Sequence, residues 1–518
     1  MALPATFTLA AALGARALAK LGVLPTRLSA VDEAASIDVL CADKTGTLTQ
    51  NELTVTAVHA MSGFDEPHVL GLAALASSDG GQDPVDAAIR TAAKKTASDL
   101  PQLIKFVPFD PATKMSEATA TDAGGASVRV VKGASAAVTG LTQSAPDASK
   151  TAGELEAQGF RVLAVAVGPP DAVKLAGLIA LSDPPRTDSA ALITELRALG
   201  VRTVMVTGDA PATAAIVARA VGLEGAVCPP GPIPDGVRPQ DFAVFAGVLP
   251  EGKYNLVKSF QKSGHTVGMC GDGANDAPAL RQAQMGIAVS TATDVAKSAA
   301  GIVLTKPGLG GIVASVKEGR MTFQRILTYA LNSVNKKIVQ VLFLAVGLLM
   351  TGHAILTPML MVIIMLTGDL LGMSLTTDNV RPSPAPNAWR IGALTIAGVF
   401  IGVSELVFCA AVLALGKFRL GFGIETLRTL AFVVIVFGNQ ATTYTNRERR
   451  RMGSCRPSRW LIGSSVVDLS IASVLAICGI AMSPLPVLVV GGTLVAAAAF
   501  AFILDFAKVP VFNRLQIA

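Results

Sequence analysis

The sequence has few cysteines, few aromatic residues and few charges, and each shortage argues against a class of protein. The six cysteines are scattered and include no Cys-x-x-Cys pair, so neither a disulfide framework nor a zinc site is predicted. Aromatic residues make up 5% of the chain and no basic stripe carries interleaved aromatics, so nucleic-acid binding is not expected. Charged residues make up 15%, hydrophobic residues 51%, and the mean hydropathy is +0.54. This composition predicts a membrane protein with a soluble part.

The most informative stretch is the string Asp-Lys-Thr-Gly-Thr-Leu-Thr at residues 43–49. It follows the apolar run 37–42, which predicts a buried strand. The Asp43 carboxylate would then project from the C-terminal edge of a sheet, where α/β folds bind their ligands. A carboxylate in that place can attack a phosphoryl group and form an aspartyl-phosphate. A lone aspartate would be an ordinary loop residue, so the prediction depends on further motifs.

Three further polar motifs each follow a predicted strand, and helical patterns alternate with these strands. The alternation predicts a parallel, doubly wound sheet with all the motifs at one edge. The motifs are Thr207-Gly208-Asp209 after a strand at 202–206, Lys253 after a strand at 242–249, and Asp272-Gly273-Ala274-Asn275-Asp276 after a strand at 266–270.

These residue types suit phosphoryl transfer, which depends mostly on positioning and charge neutralisation. We expect Asp43 to attack the phosphorus and, with Asp272, to hold Mg²⁺, which takes few protein carboxylates. Thr207 and Lys253 would bind the phosphoryl oxygens, Lys253 as a point charge.

The four motifs in this order resemble the P-type ATPases of the haloacid-dehalogenase-like superfamily. The resemblance implies an ATP-driven pump whose cycle passes through phospho-Asp43, with ATP as substrate and Mg²⁺ as cofactor. It also implies a set of site residues. The candidate catalytic residues are Asp43, Lys44, Thr45, Thr207, Gly208, Asp209, Lys253 and Asn275, and the candidate metal ligands are Asp43, Thr45, Asp272 and Asp276.

The region between Asp43 and Thr207 contains two segments that resemble the family's nucleotide-binding loops. Residues 108–116 resemble its Pro-Phe-x-Pro-x-x-Lys-Arg segment, although Met115 replaces the arginine, and residues 132–135 resemble its Lys-Gly-Ala-Pro loop. The alternative interpretation is a solvated loop and a hairpin turn. A later Asp-Pro-Pro-Arg segment is either a hinge that touches ATP or a proline-stiffened loop. The candidate nucleotide-binding residues are Phe109, Lys114, Lys132, Gly133, Asp183 and Arg186.

Beyond residue 320 the chain becomes strongly apolar. We expect six spanning segments, each reaching the ~20 residues that a bilayer needs. Basic residues concentrate in alternate loops, which places these loops and the catalytic region on the cytoplasmic side of the cytoplasmic membrane. The predicted spans are residues 325–350, 355–377, 391–416, 427–446, 460–482 and 485–507.

Asp369 lies inside the second predicted span, where a carboxylate costs about 2.5–3.5 kcal/mol and is functional by default. The stretch from Asp369 to residue 384 resembles the plasma-membrane proton-pump branch, whose sixth helix carries a proton-accepting aspartate here. This resemblance implies H⁺ as the transported cation and Pro4, Asn335 and Asp369 as pathway residues. Mg²⁺ or another hard cation is the alternative ion, and a hydrogen bond between helices is the alternative role of Asp369.

Two lysines precede this span, and their role is open. Lys336 or Lys337 would be either a counter-ion to Asp369 or a side chain that extends to the membrane surface.

The resemblance predicts a division of the chain. Residues 1–36 would be the end of a transmembrane helix and a stalk. Residues 37–53 and 168–319 would form the α/β phosphorylation domain, residues 54–167 an inserted α+β nucleotide-binding domain, and residues 320–518 the all-α membrane domain. No Thr-Gly-Glu string of the family's actuator domain occurs. A separate chain would then supply the actuator domain and the first helices.

Two other functions stay open beside a truncated or split pump. One is a membrane-anchored phosphatase of the haloacid-dehalogenase type, and the other is an inactive fragment or subunit that needs a partner. Such phosphatases usually have an acid two residues after the nucleophile. This chain has Thr45 there, which favours a long-lived phosphoenzyme.

Overall fold

The computed structural model describes residues 2–80, 83–94, 100–142, 146–234 and 236–517 of the 518-residue chain. The chain divides into two compact units, of which one combines Met1–Ile37 with Ala314–Ala518 and the other is Asp38–Val313. The helices are α1 (Ala2–Lys20), α2 (Ser29–Ser36), α3 (Glu66–Leu75), α4 (Pro84–Ala93), α5 (Ser135–Thr139), α6 (Pro146–Ala157), α7 (Ser189–Ala198), α8 (Pro211–Ala220), α9 (Pro250–Lys262), α10 (Ala277–Gln282), α11 (Asp294–Ala299), α12 (Gly310–Thr351), α13 (Pro358–Ser374), α14 (Ile391–Ala414), α15 (Ile424–Asn446), α16 (Arg459–Cys478) and α17 (Val487–Leu515).

The strands belong mainly to two sheets within Asp38–Val313. They are β1 (Val23–Pro25), β2 (Val39–Asp43), β3 (Thr54–Ala60), β4 (Gln102–Asp110), β5 (Met115–Thr121), β6 (Ser127–Ala134), β7 (Arg161–Gly168), β8 (Lys174–Ser182), β9 (Arg202–Val206), β10 (Val227–Cys228), β11 (Val244–Phe245), β12 (Val267–Gly271), β13 (Met285–Ala288) and β14 (Ile302–Leu304).

The first sheet is parallel and has β2 near its middle. Its strands are hydrogen-bonded in the order β14, β13, β12, β2, β9, β11 and β10. Asp43 lies opposite Val206 of β9, and Ala42 lies opposite Cys270 of β12. The three strands therefore end at one edge, and the predicted doubly wound α/β domain is confirmed.

One strand of this sheet is shorter than its sequence suggests. The apolar pattern predicts a strand at 242–249, but only Val244–Phe245 is extended. Gly247 takes a left-handed φ of +63°, and Pro250 begins α9, so the chain leaves the sheet before the pattern ends.

The second sheet is antiparallel, in the order β3, β8, β7, β6, β5 and β4. Helices α3 and α4 contribute to one apolar core beside it, and α5 and α6 contribute to another. The last strand of this sheet, β8, lies beyond residue 167, where the inserted domain is predicted to end. Because β8 pairs with β3 and β7, the sheet includes the chain as far as Ser182.

The other unit contains the membrane helices. Among the described residues, the six helices α12 to α17 are long and apolar enough to cross a membrane, which confirms the predicted number of spans. Helix α15 is the most buried of the six and contributes an almost continuous run of buried residues to the apolar core. Polar side chains on α15 therefore lie inside the helix bundle.

Candidate active site

Asp43 is the last residue of β2, and the chain turns sharply after it. The turn Lys44–Leu48 contains Gly46 at a φ of +69°, a conformation that glycine adopts without steric cost. A Cβ on Gly46 would lie 3.4 Å from Oδ2 of Asp272, so the glycine also lets two functional turns approach each other. The backbone N–H of Lys44 donates to Oδ1 of Asp43 over 2.8 Å and fixes the carboxylate.

Lys253 joins two of the predicted acidic residues. It lies in the first turn of α9, and its Nζ is 2.8 Å from Oδ2 of Asp43 and 2.8 Å from Oδ1 of Asp276. Burial raises the pKa of Asp43 to about 6; Lys253 opposes this rise, and Asp276 and Asp272 add to it. One ammonium group therefore only partly balances the buried acids.

The carboxylates of Asp43, Asp272 and Asp276 form a cluster whose oxygens lie within 4.8 Å of one another. Asp276 is oriented by the N–H of Gly273, which donates to its Oδ2 over 3.1 Å. Three carboxylates face a single lysine, so two negative charges remain to be balanced. This donor set fits Mg²⁺, a hard cation that prefers one or two carboxylates together with water and phosphate oxygens.

An ion pair joins the turns that follow β2 and β9. Nζ of Lys44 lies 2.6 Å from Oδ2 of Asp209, and both groups are largely shielded from solvent. The N–H of Asp209 donates to Oγ1 of Thr207 over 3.1 Å, and Thr207 is itself buried. The structure thus brings the turn after Asp43 and the Thr-Gly-Asp turn together, with Lys44 holding Asp209 in place.

Three other predicted residues lie at the rim of this site. Thr45 is half-buried in the turn after Asp43, whereas Gly208 and Asn275 are exposed. Their positions leave Gly208 and Asn275 accessible to a ligand that enters from solvent.

Phe109, Lys114 and Gly133 come from three adjacent segments of the antiparallel sheet. Met115 is paired with Gly133, and a Cβ on Gly133 would come within 2.3 Å of the carbonyl oxygen of Lys114. Lys114 itself has a φ of +58°, and Phe109 is 49% exposed on β4. The loops that resemble a nucleotide site therefore meet at one end of the sheet, with an aromatic ring open to solvent.

Lys132 lies beneath this end of the sheet. Its ammonium group donates to the carboxylate of Asp86 and, over 2.7 Å, to the hydroxyl of Ser77. All three side chains are buried, and burial lowers the pKa of Lys132 although Asp86 opposes that change. The lysine that was expected to approach ATP is thus engaged by a carboxylate of α4.

The Asp-Pro-Pro-Arg segment lies against the turn that follows Asp43. Oγ1 of Thr49 donates to Oδ2 of Asp183 over 2.6 Å, and the N–H of Arg186 donates to the carbonyl of Leu48 over 3.0 Å. The Nε atom of Arg186 is buried and has no hydrogen-bond partner among the described residues. This segment therefore connects the inserted sheet to the turn that contains Asp43.

Asp369 is exposed on α13 and lines a cavity of about 620 Å³ together with Lys336 and Lys337 of α12. Nζ of Lys336 donates to the carbonyl oxygen of Gly368 over 3.1 Å, so this side chain turns toward α13 and not toward the membrane surface. Pro4 lies in α1, and its side chain is outside the described part of the chain.

The membrane unit also contains a fully buried acid on α14. Glu405 of α14 is fully buried, and its Oε2 accepts from Nδ2 of Asn335 over 2.8 Å and lies 3.1 Å from Oγ1 of Thr442. A Cβ on Gly438 would lie 3.0 Å from Oε1 of Glu405, so that glycine makes room for the carboxyl group. An acid within an apolar span is the signal that could have identified it.

Residues 37–284 match the haloacid dehalogenase-like hydrolase family. This match agrees with the parallel α/β sheet, and the matched region is followed in the chain by six candidate transmembrane helices. Over 507 residues the chain is 34% identical to a protein of Methanocaldococcus jannaschii named "Putative cation-transporting ATPase". The match covers 93% of this chain and 62% of that relative, so the chain spans less than two thirds of the relative's length.

Proposed function

We propose that this chain is the catalytic and C-terminal membrane part of a P-type ATPase that accepts the γ-phosphoryl group of ATP on Asp43. The observation that carries the proposal is the contact of Lys253 with both Asp43 and Asp276 at the edge of the parallel sheet. The similarity to a relative named as a cation-transporting ATPase supports it.

The phosphoryl transfer is an in-line displacement. An oxygen of Asp43 forms a bond to the γ-phosphorus while the bond to the bridging oxygen of ADP breaks, and the electron pair of that bond leaves with ADP. The Lys253 ammonium and the Thr207 hydroxyl stabilise the oxygens of the moving phosphoryl group. When bound by Asp43, Thr45, Asp272 and Asp276, Mg²⁺ supplies charge neutralisation of the phosphate.

The inserted domain holds the nucleotide in this proposal. The exposed ring of Phe109 offers a surface on which adenine stacks, and Lys114 supplies a positive charge beside it. Gly133 keeps the Lys114 turn in place, while Lys132 supports it from below through Asp86. Asp183 and Arg186 connect this site with the Asp43 turn.

The proposed cargo is a proton. Asp369 shares its cavity with two lysines, whose positive charges would repel a divalent metal ion more strongly than a singly charged proton. Glu405 and Asn335 form a second buried polar group in the same bundle and belong to the proposed pathway.

We place the protein in the cytoplasmic membrane with its hydrolase domain in the cytoplasm, in agreement with the basic residues of alternate loops. Hydrolysis of phospho-Asp43 is proposed to use an actuator domain that these 518 residues do not supply, whether it lies in further sequence or in a separate chain.

An acid gel tests the proposal. The full chain in membranes is incubated briefly with γ-labelled ATP and Mg²⁺, and we expect a labelled band at 53.0 kDa that hydroxylamine removes. Asp43→Asn should abolish this label, whereas Asp171→Asn, which changes an exposed aspartate, should keep it. A label that persists in Asp43→Asn would disprove the role of Asp43. Rapid release of inorganic phosphate without a stable label would favour the phosphatase.

A further inference from the structure

The membrane unit contains a cavity of about 590 Å³ at the end of its helices α15 and α17. The cavity is separate from the cavity that Asp369 lines. Its walls come from the loop 380–384, from residues 447–450 after α15, and from the last turns of the chain at 512–517. These loops follow α13 and α15, the ends that the charge pattern assigns to the cytoplasmic side.

The wall of this cavity is strongly basic. Arg381, Arg447, Arg449 and Arg450 line it, against one acid, Glu448. Only Arg447 of these arginines forms an ion pair among the described residues, with its Nε 2.7 Å from Oδ2 of Asp378. The cavity therefore has an excess of positive charge that the described part of the protein does not balance.

Arg449 forms no ion pair among the described residues. Its guanidinium group donates to the carbonyls of Asn446 and Gln324 and to Oγ1 of Thr328, while its buried Nε has no partner in the described chain. Burial lowers the pKa of Arg449 to about 10, and Glu448 opposes that change, so the group stays charged at neutral pH. A half-buried cation that is bonded only to neutral oxygens gains stability from an anion nearby.

A fully buried arginine lies just behind the wall. Arg320 is fully buried, and its Nη1 donates over 3.0 Å to the carbonyl of Ser383, which lines the cavity. Its Nε and Nη2 are buried and have no hydrogen-bond partner among the described residues. Arg449 at the cavity and Arg320 behind it thus each have a buried nitrogen whose N–H donor is unused among the described residues.

The cavity also has an apolar side, which continues along a helix face. Phe512 and Ile517 line it together with Asn513 of α17. About two and about three turns before Asn513, on the same side of α17, the rings of Phe506 and Phe502 are 66% and 59% exposed. A bound molecule would therefore meet a basic pocket at one end and an apolar helix face beside it.

We propose that this cavity binds the phosphate headgroup of an anionic phospholipid, whose acyl chains lie along Phe502 and Phe506 of α17. Arg449, Arg450 and Arg381 bind the phosphate oxygens, in the way that basic pockets between membrane helices bind anionic headgroups. The combination of charge and apolar surface favours a phospholipid over free phosphate. The proposal depends on insertion of these helices in a membrane and not on ATPase activity.

The test uses the full chain, purified in neutral detergent and delipidated. Native mass spectrometry measures the binding of dioctanoyl-phosphatidylglycerol, dioctanoyl-phosphatidylcholine and inorganic phosphate. The double variant Arg449→Gln/Arg450→Gln should bind phosphatidylglycerol about tenfold more weakly, because charge-assisted hydrogen bonds to the phosphate are lost. The double variant Arg381→Gln/Arg450→Gln should also weaken phosphatidylglycerol binding, and it leaves the hydrogen bonds of Arg449 within the protein intact. Arg459 is an exposed arginine at the start of α16 and lies outside the cavity. Arg459→Gln should therefore change phosphatidylglycerol binding by less than about twofold.

Each outcome decides the proposal. Weaker binding in both double variants, normal binding in Arg459→Gln and weak binding of phosphatidylcholine support it. Equal binding of the two lipids, or equal losses in all three variants, would overturn it. If inorganic phosphate alone binds with the same dependence on Arg449 and Arg450 and displaces phosphatidylglycerol, the site is one for a free anion and the lipid assignment is wrong.

Discussion

The ammonium group of Lys253 lies 2.8 Å from the carboxylate of Asp43, although 210 residues separate them in sequence. The same ammonium group lies 2.8 Å from Asp276. A lysine between two buried acids favours the charged form of the Asp43 carboxylate and holds it in place. It also provides a positive charge where a phosphoryl group would gain negative charge.

Replacement of Lys253 tests this contact. Lys253→Met should slow formation of the aspartyl-phosphate by about 100-fold, comparable to the loss of one donor that stabilises a transition state. The initial rate of hydroxylamine-sensitive labelling with γ-labelled ATP measures the change. Lys258→Met, on the exposed side of the same helix, is the matched control and should label at the normal rate. Equal rates in the two variants would remove Lys253 from the proposed chemistry.

The acidic cluster predicts a dependence on magnesium. Chelation of Mg²⁺ should abolish labelling, and Asp272→Asn should raise the Mg²⁺ concentration for half-maximal labelling by about tenfold or more, because a ligand and a charge are lost. Asp294→Asn, an exposed acid at the start of α11, should leave the Mg²⁺ dependence unchanged. An unaltered Mg²⁺ titration of Asp272→Asn would show that this carboxylate is not a ligand.

Gly133 is predicted to be essential for the nucleotide loop. A Cβ there would lie 2.3 Å from the carbonyl of Lys114, so Gly133→Ala must displace the turn and should weaken binding of a fluorescent ATP analogue by about tenfold, or about 1.4 kcal/mol. Gly153→Ala meets no atom within 4 Å, and in α6 it should stabilise the helix by about 0.5–1 kcal/mol. The hypothesis fails if the two variants bind the analogue alike.

The buried pair of Lys132 and Asp86 should behave differently from a surface pair. Asp86→Ala leaves a buried charge without its partner and should destabilise the domain by about 3–5 kcal/mol. The double replacement Asp86→Leu/Lys132→Met should be less harmful, because no unpaired charge remains. Thermal unfolding of the full chain measures the stability of both variants. Lys150→Met is the control, because the ion pair of Lys150 with Glu154 is exposed and contributes less than about 1 kcal/mol.

Glu405 is predicted to contribute to transport. Glu405→Gln removes its charge but keeps its size, and in a working pump assembly it should lower ATP-driven acidification by at least about tenfold, as should Asp369→Asn. Glu425→Gln, at the exposed start of α15, should transport normally. Phosphorylation of Asp43 should persist in all three variants. Normal transport by Glu405→Gln would limit this residue to a structural role.

Much of the catalytic site could be predicted from the sequence because it lies at the ends of strands. Periodicity locates a strand, and the residues that follow parallel strands must meet at one edge of their sheet. Asp43, Thr207 and Asp272 could therefore be placed together before any coordinates were known. The spans α12 to α17 were predictable for a related reason, because the bilayer sets a minimum length for an apolar helix.

Tertiary structure decided the contacts that no local pattern contains. The antiparallel sheet extends to Ser182 because β8 pairs with β3, and strand partners distant in sequence leave no local signal. The partner of Lys132 is on α4, and the contact of Lys336 is on α13, because long flexible side chains can satisfy their charge in many directions. The sequence alone determined which chemical groups this protein carries and which elements they follow. Only packing in three dimensions decided which of those groups are buried, which charges are paired, and which arginines have no acidic partner among the described residues.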